Sequence, residues 1–469
     1  MFRHYKEVYR KMKTKKNRLT YALLLMLAIS LVLSACGNNG NSGSSNNGGN
    51  PPAAGGDSQS GNAGSGKQST ISFWAAAVTP ERNAFFESII EEFEAANPDI
   101  KVDYLGVPGD LAAYEQKLNV AIAANQAPDI TNNFKAEYIT RDVLEPLDAY
   151  LDSWDQKDLI SPGNLEGNRA LDTKEGKLYA LPYSSQTWNL WVRPDWFAEA
   201  NLPIPETWDQ FFEAVEKLTD KSQDRYGLSI RGGAGSANTL EMLMYAYSGI
   251  KDYFNADGTA TINDPLHVEF VEKYLGAYNV YTPEDDLNKG WTELAATYQS
   301  GKAAIVVHNL GSASSHEKAF DGDYAKFQAV PFPKSVGGVQ THPGLMPLGL
   351  TMSKTAKDKD AVWRFLAFYL SQDVNSRYSK LYGEIPANLD AAQDDWVQQL
   401  PYMKSAADLL ANPETSFANT PYYLPGYNNV QKTMEPMIQK VMAKQMTAQD
   451  MLQEWAKLLE AEKTAQAAN

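Results

Sequence analysis

Cysteine is the residue that this sequence has least of, with one in 469 residues. A single thiol cannot form an internal disulfide, and it cannot build a zinc site made of several cysteines. Histidine is also scarce, and the five histidines show no spacing that is typical of a metal site. The chain contains no Gly-x-Ser-x-Gly motif, which carries the nucleophile of many hydrolases. We therefore expect no metal, no cofactor and no catalytic residue.

The chain also lacks an apolar run long enough to span a membrane, which takes about 20 residues. Residues 1–35 instead combine basic residues with an apolar stretch, a pattern that predicts a signal peptide. The stretch ends in Leu-Ser-Ala-Cys, which resembles the lipobox of bacterial lipoproteins. The resemblance implies lipidation of Cys36 and a membrane anchor on the extracytoplasmic face of the cell membrane. The alternative for Cys36 is a buried free thiol.

The chain is strongly acidic once the predicted signal peptide is removed. Residues 1–35 carry eight Lys or Arg and one Glu, so the formal charge of −15 becomes −22 without them. Proteins bind nucleic acid largely by neutralising its phosphates, and a chain this acidic repels them. We therefore expect no nucleic-acid partner.

Residues 36–70 are predicted to be a flexible linker behind the lipidated cysteine. Gly, Ser, Asn, Pro and Ala dominate this segment, and it has too few apolar side chains to offset the entropy of ordering. About 400 residues follow, which is more than one hydrophobic core usually organises. Two domains are therefore expected.

Strand and helix patterns alternate at the start of the folded part. Residues 71–73 form a β-type run, and Thr79 with Pro80 then offers a helix start. Residues 100–104 alternate between apolar and polar, which predicts a strand, and a second helical pattern leads to an extended segment at 129–131. The order βαβαβ predicts a parallel sheet whose ligands bind at the carboxyl ends of its strands.

The alternation continues to the end of the chain. A hairpin turn is predicted at residues 255–258 rather than a calcium loop, because the first acidic ligand position is occupied by Tyr253. The later patterns predict strands at 178–182, 188–192, 226–230, 303–307 and 348–352, and helices at 207–218, 361–370 and about 434–462.

Several short motifs, in their order and spacing, resemble the family 1 extracellular solute-binding proteins of ABC transporters, the group that includes maltose-binding protein. The resemblance implies an α/β fold of the type II periplasmic-binding class, in which two lobes are joined by hinge crossovers and close on a ligand in the cleft. The motifs are Ile-Ser-Phe-Trp from Ile71, Ala-Pro-Asp-Ile from Ala127, Leu-Tyr-Ala-Leu-Pro-Tyr from Leu178, Gly-Lys-Ala-Ala-Ile from Gly301 and Gly-Glu-Ile-Pro-Ala from Gly383.

The resemblance also implies where the chain crosses between lobes. Lobe 1 is expected to hold residues 71–184 and 342–388, and lobe 2 residues 185–341 and 389–469, so that both lobes are discontinuous. The implied function is that of a monomeric substrate-binding lipoprotein, which captures a sugar or oligosaccharide and delivers it to the permease of an ABC importer.

Strand ends supply the first candidate ligand-binding residues. Trp74, on the expected turn after residue 73, suits stacking on the apolar face of a sugar ring; the alternative is packing on lobe 1. Asn132 and Asn133 follow the next strand and offer paired donors and acceptors to hydroxyls, or cap a turn.

The first crossover and the strand after it supply further candidates. Gln186 lies where sugar-binding relatives often carry a carboxylate, and Trp188 shares its strand face. Arg231 opens a glycine-rich turn, where the backbone can approach a ligand closely and the guanidinium can hold a hydroxyl pair or a carboxylate. The alternatives are core packing for Trp188 and an exposed side chain for Arg231.

The strand at 303–307 ends where relatives often have a tryptophan that is missing here. His308 and Asn309 are therefore predicted as polar contacts, and His342, beside the second crossover, is a further candidate. Each histidine has the alternative of internal hydrogen bonding. The tyrosines of a proline-rich loop, Tyr422, Tyr423 and Tyr427, either contribute to a lid or pack on the surface.

Two other function classes compete with solute binding. A secreted glycoside hydrolase needs two carboxylates roughly 5 to 10 Å apart across the scissile bond, and none of the candidate site residues is acidic. A surface lipoprotein without a transport role does not require two lobes or a cleft. The sequence therefore favours a binding protein that is not an enzyme.

Overall fold

The structure is a computed structural model that describes residues 68–108, 111–412 and 414–467. The signal peptide and the lipidation predicted at Cys36 lie outside these residues. Within the described part of the chain, no helix is both long enough and apolar enough to cross a membrane.

Thirteen strands, most of them short, are found in the described residues. In chain order they are β1 (Ser69–Ala76), β2 (Ile100–Val107), β3 (Ile130–Thr131), β4 (Ala180–Leu181), β5 (Ser184–Ser185), β6 (Trp188–Val192), β7 (Tyr226–Ser229), β8 (Ala303–Asn309), β9 (Gln328–Val330), β10 (Thr341–His342), β11 (Leu350–Met352), β12 (Ile385–Pro386) and β13 (Ser416–Phe417).

Helices account for most of the remaining regular structure. They are α1 (Pro80–Ala96), α2 (Leu111–Ala123), α3 (Ala136–Thr140), α4 (Asp148–Ser153), α5 (Pro162–Arg169), α6 (Pro194–Glu199), α7 (Trp208–Lys217), α8 (Ser236–Ser248), α9 (Pro265–Gly276), α10 (Trp291–Gln299), α11 (Ala313–Ala319), α12 (Lys359–Tyr369), α13 (Gln372–Tyr382), α14 (Asp395–Gln399), α15 (Pro401–Ala411), α16 (Tyr427–Met442) and α17 (Ala448–Ala467).

Helix starts follow the capping residues in the sequence. The side chain of Thr79 accepts a hydrogen bond from the backbone N–H of Arg82 and caps α1, as predicted. Thr207 and Gln210 form a reciprocal capping box at the start of α7. The segment expected to be helical from about 434 to 462 is helical for most of its length, but it is divided between α16 and α17, and Lys444 between them has a φ of 58°.

The first sheet has the strand order β2-β1-β3-β11-β4. The strands β1, β2 and β3 are parallel, as the βαβαβ pattern predicts. Strand β11, which comes from far along the chain, inserts antiparallel to both β3 and β4. The sheet is therefore mixed rather than purely parallel, and a late segment completes a sheet that the early residues begin.

The second sheet has the order β7-β8-β6-β9. Its central strand β8 is parallel to β7 and antiparallel to β6, with Trp188 opposite Asn309 in the register. Every residue of β8 is buried, including the apolar run at 303–307 and the polar residues His308 and Asn309 that follow it. We call the elements around the first sheet lobe 1 and those around the second sheet lobe 2.

The chain passes between the two sheets three times. The first passage runs through β5 into β6, the second leaves β9 through β10 to reach β11, and the third follows α13 through β12. Strands β5 and β12 pair with each other, with Ser185 opposite Ile385, so two of the passages form a small antiparallel sheet. This two-stranded sheet is the central part of the hinge between the lobes.

Candidate functional site

A cavity of about 400 Å³ lies between the two lobes, and we call it the interlobe cavity. Carboxyl ends of strands supply its walls, at the end of β1, after β3 and at the end of β8, as the sheet rule predicts. The hinge adds Gln186, directly after β5, and Glu384, directly before β12. Its polar and charged lining residues include Arg82, Glu115, Asn132, Asn133, Lys135, Gln186, Asn309 and Glu384, and its aromatic lining residues include Tyr183, Trp291, Tyr378, Tyr382, Tyr422 and Tyr427.

Four of the nine predicted ligand-binding residues come together in this cavity, namely Asn132, Asn133, Gln186 and Asn309. The other five do not line it. They are Trp74, Trp188, Arg231, His308 and His342.

The two asparagines after β3 differ in how well they are paired. The side-chain oxygen of Asn132 accepts from the backbone N–H of Ala76, 2.9 Å away, which ties the ends of β1 and β3 together. The backbone of Asn133 bonds to the Thr131 hydroxyl, but its side-chain oxygen is buried without a partner. Because an unpaired buried polar atom costs free energy, Asn133 gains from a hydrogen-bond donor brought by a ligand.

Gln186 connects the hinge to lobe 2 and to a carboxylate. Its amide nitrogen donates to Oε1 of Glu384 at 2.6 Å, and its amide oxygen accepts from Asn309 at 3.3 Å. The Ser184 hydroxyl donates to the other oxygen of Glu384. These contacts join β5, β8 and the start of β12 in one polar network.

Sequence reasoning missed Glu384, although it noted the motif that contains it. Burial raises the pKa of the Glu384 carboxyl, while hydrogen bonds from Gln186 and Ser184 and the nearby charge of Arg82 act in the opposite direction. Two carboxylates that were not among the candidate residues, Glu384 and Glu115, thus line the cavity.

Arg82 and two tyrosines form a stack on the wall from lobe 1. The guanidinium carbon of Arg82 lies 3.8 Å from the ring centroid of Tyr382, which in turn stacks on Tyr378 at 4.2 Å. The Tyr382 hydroxyl is buried without a partner. Arg82 lies in the first turn of α1, shortly after the end of β1, and this position was the one sequence signal that pointed to it.

A second basic residue of lobe 1 is neutralised by its own partner. Lys135 forms an ion pair with Glu115 on α2 at 2.7 Å, and both line the cavity. The charged groups that line the cavity are therefore two cations and two anions. This balance favours an uncharged ligand over an anion.

Trp291 supplies the lobe 2 tryptophan that the sequence lacks after β8. It begins α10, and its ring lies on that of His308 and at right angles to that of Trp188, whose centroid is 5.5 Å away. Trp188 and His308 therefore support a lining residue from behind. No local pattern in the sequence indicates this, because residue 291 reaches the cavity only through tertiary packing.

Arg231 has the same supporting position. Its guanidinium carbon lies 5.6 Å from the Trp291 ring centroid, and the arginine occupies space left by the missing side chain of Gly235, which has a φ of +81°. A Cβ added to Gly232 would lie 2.5 Å from the Asp286 carbonyl oxygen. The glycines thus allow close packing against the 286–289 segment, which replaces the expected approach to a ligand.

Trp74 lies inside β1, because the strand continues to Ala76 rather than ending at residue 73. Strand alternation turns Trp74 away from Phe73 and onto the side of Tyr114 and Leu118. The Lys117 ammonium lies 5.2 Å from its ring centroid. These contacts correspond to the packing alternative for Trp74.

Both histidines use their rings within the protein. Nε2 of His308 lies 3.2 Å from the Trp291 carbonyl oxygen, and burial lowers the pKa of His308 to about 4. Nε2 of His342 lies 2.8 Å from the Trp188 carbonyl oxygen, and burial lowers its pKa as well. His308 therefore connects β8 to the start of α10, and His342 connects β10 to β6.

Two tyrosines of the proline-rich loop, Tyr422 and Tyr427, line the cavity, whereas Tyr423 does not. Behind them lies Glu241 on α8, which accepts a hydrogen bond from Gln431 at 2.8 Å. Burial raises the pKa of Glu241 to about 7. Tyr422 and Tyr427 therefore form part of the cavity wall, with a buried carboxyl group behind them.

No cluster of three or more His, Cys, Asp or Glu side chains suited to a metal ion occurs in the part of the chain that the structure describes. What the cavity offers is hydrogen-bonding groups from both lobes and the hinge, with aromatic rings that include Trp291 from lobe 2.

The sequence of this chain is similar to those of known binding proteins. A family model for the bacterial extracellular solute-binding protein matches residues 76–376. A putative binding protein of Brucella abortus (strain 2308) is 22% identical over 386 residues, covering 78% of this chain and 87% of that protein. The maltotriose-binding protein of Pyrococcus abyssi is 24% identical over 358 residues, covering 73% of this chain and 71% of that protein.

The fold has counterparts among solved structures. An ABC transporter solute-binding protein from Thermotoga lettingae, bound with alpha-D-tagatose, matches with a TM-score of 0.68 and 20% sequence identity. The match covers 84% of this chain and 99% of that one. The two-lobed α/β fold that the sequence predicted is therefore confirmed.

Proposed function

The chain belongs to the bacterial extracellular solute-binding proteins, and from this premise we propose that it captures a carbohydrate in the interlobe cavity and delivers it to the permease of an ABC importer. The relatives named above include one that binds maltotriose and one bound to tagatose. The proposed ligand is an uncharged sugar or oligosaccharide.

The observation that carries the proposal is the pairing of unsatisfied polar atoms with an aromatic ring in one cavity. The side-chain oxygen of Asn133 and the hydroxyl of Tyr382 are buried without partners on lobe 1 residues, and Trp291 lines the cavity from lobe 2. A sugar has hydroxyls for the first and an apolar ring face for the second.

Ligand capture requires the lobes to close. We propose that residues 71–184 and 342–388 move as lobe 1 and residues 185–341 and 389–469 as lobe 2, with β5 and β12 in the hinge. The ligand binds the closed form better and shifts the population towards it. In this account the protein acts as a monomer, held on the outer face of the cell membrane by lipid on Cys36.

The same cavity argues for binding without catalysis. A glycosidase needs two carboxylates available to the scissile bond. In this cavity Glu115 is ion-paired with Lys135, and both oxygens of Glu384 already accept hydrogen bonds from the protein. Neither carboxylate is free in the way that glycoside hydrolysis requires.

A thermal-shift screen of mono- and oligosaccharides, followed by calorimetric titration, tests the proposal. We expect one class of carbohydrate to raise the melting temperature and to bind with one-to-one stoichiometry, because a specific ligand stabilises the folded state by mass action. Asn133→Ala is expected to weaken that binding. A panel without a binder, or release of cleaved sugar by the pure protein, would contradict the proposal.

A further inference from the structure

Glu384 occupies an unusual position for a buried carboxylate, since it lies in the hinge and on the cavity wall at once. It follows Gly383, whose φ of +67° ends α13, and it directly precedes β12. The residue is only 3% exposed. Burying a charged group this deeply costs free energy unless other groups pair with it, so the contacts of Glu384 need an explanation.

The protein satisfies part of the hydrogen-bonding capacity of Glu384. One oxygen accepts from the Gln186 amide and the other from the Ser184 hydroxyl. The Tyr378 hydroxyl is a third hydrogen-bond partner of this carboxylate, and Arg82 acts on it by charge attraction from lobe 1. A carboxylate has about four acceptor sites, so roughly one remains. Because Glu384 lines the interlobe cavity, this remaining site is the one that a ligand in the cavity could use.

We propose that Glu384 is a ligand-binding and specificity-determining residue, whose carboxylate oxygens accept hydrogen bonds from hydroxyls of the carbohydrate. This inference rests on the proposed function. A carboxylate accepts but does not donate, so it selects a ligand group that donates, and a sugar hydroxyl does so. Ser184 and Gln186 hold the carboxylate in place, and Asn309 extends the network to lobe 2 through Gln186.

A purely structural role in the hinge is the competing explanation, and two substitutions distinguish them. Glu384→Gln removes the charge but keeps the shape, and the new amide can still bond to Gln186 and, after rotation of its hydroxyl, to Ser184. Glu384→Ala removes both. If Glu384 only supports the hinge, Glu384→Gln is tolerated and Glu384→Ala is not. If the carboxylate accepts hydrogen bonds from the ligand, both variants lose binding.

The experiment is calorimetric titration of wild type and both variants with the sugar that binds wild type. We expect Glu384→Gln to lower the affinity at least about tenfold, because hydrogen bonds to charged groups are stronger than neutral ones. Asp286→Asn serves as the matched control, since Asp286 is also buried but bonds to Ser229 and Lys289 outside the cavity. It is expected to lower the melting temperature and to leave the affinity unchanged.

Wild-type affinity in Glu384→Gln would overturn the inference while leaving the proposed function intact. Failure of wild type to bind any carbohydrate would instead refute the proposed function. If Glu384→Gln does not fold, deoxy analogues of the sugar give the answer with wild type. At least one analogue must then bind about tenfold more weakly than the parent sugar, and equal binding of all analogues overturns the inference.

Discussion

The guanidinium of Arg231 faces the ring of Trp291 at 5.6 Å, and this contact places an arginine behind the cavity wall rather than on it. Burial lowers the pKa of Arg231, and the carboxylates of Glu435 and Glu293 counter that effect. The arginine is thus held by protein charges and by an aromatic face. Trp291, at the front of this stack, is the side chain that lines the interlobe cavity.

Replacing Trp291 with alanine is expected to weaken sugar binding by about 1 kcal/mol, roughly a fivefold rise in Kd, because a stacking surface is lost. Calorimetric titration measures the change. Trp363→Ala is the matched control, since Trp363 stacks on Tyr150 in lobe 1 and does not line the cavity.

Calorimetric titration of Trp74→Ala tests which tryptophan stacks on the sugar. The sequence predicts Trp74, whereas the structure indicates Trp291. The contacts of Trp74 with the Tyr114 side of lobe 1 indicate a loss of stability as the main effect. Weaker binding in Trp74→Ala together with unchanged binding in Trp291→Ala would favour the sequence prediction.

Strands and helix caps were predictable because they depend on neighbours in the sequence. Thr79 and the alternation of 100–104 need only local contacts, and Asn132 and Asn133 follow from the rule that ligands bind at strand ends. Asn309 follows from the family resemblance after the strand at 303–307. Strand β11 was expected as a strand, but its antiparallel insertion between β3 and β4 depends on pairing with residues far away in the chain.

The residues that were missed depend on such distant contacts. Glu384 meets Gln186 across 198 positions, and Trp291 reaches the cavity by packing on His308. No local pattern records either contact. The departure from a carboxylate at Gln186 was visible in the sequence, but the carboxylate beside it comes from another passage through the hinge.

Salt is expected to have little effect on ligand affinity. The cationic side chains that line the cavity face carboxylates of the protein, with Lys135 paired to Glu115 and Arg82 acting on Glu384. Uncharged hydroxyls add no ionic attraction that salt screens. Titrations at low and high ionic strength are expected to give dissociation constants within about threefold. A tenfold or larger weakening by salt would indicate an anionic ligand.

The stability of the protein is expected to depend on pH through the carboxyl group of Glu241. Burial raises its pKa to about 7 from an ordinary 4.5, so the folded state favours the protonated form. The stabilising contribution of the protonated carboxyl is fully present below about pH 4.5 and is lost as the pH rises through 7. The free energy of unfolding is expected to fall by about 3 kcal/mol over this range.

Glu241→Gln removes this titration and leaves the others in place. Denaturant unfolding from pH 4.5 to 8 is expected to show the variant gaining stability relative to wild type as the pH rises. A difference between the two proteins that stays constant with pH would contradict the assignment. The comparison is made as a difference because burial also raises the pKa of Asp286, to about 6.

A crystal structure of the protein with the carbohydrate that binds in solution tests the central claim most directly. The account predicts one sugar molecule between the lobes, in contact with Asn133 from lobe 1 and Trp291 from lobe 2. Electron density for the sugar on an outer surface, or contacts with residues of one lobe alone, would contradict it.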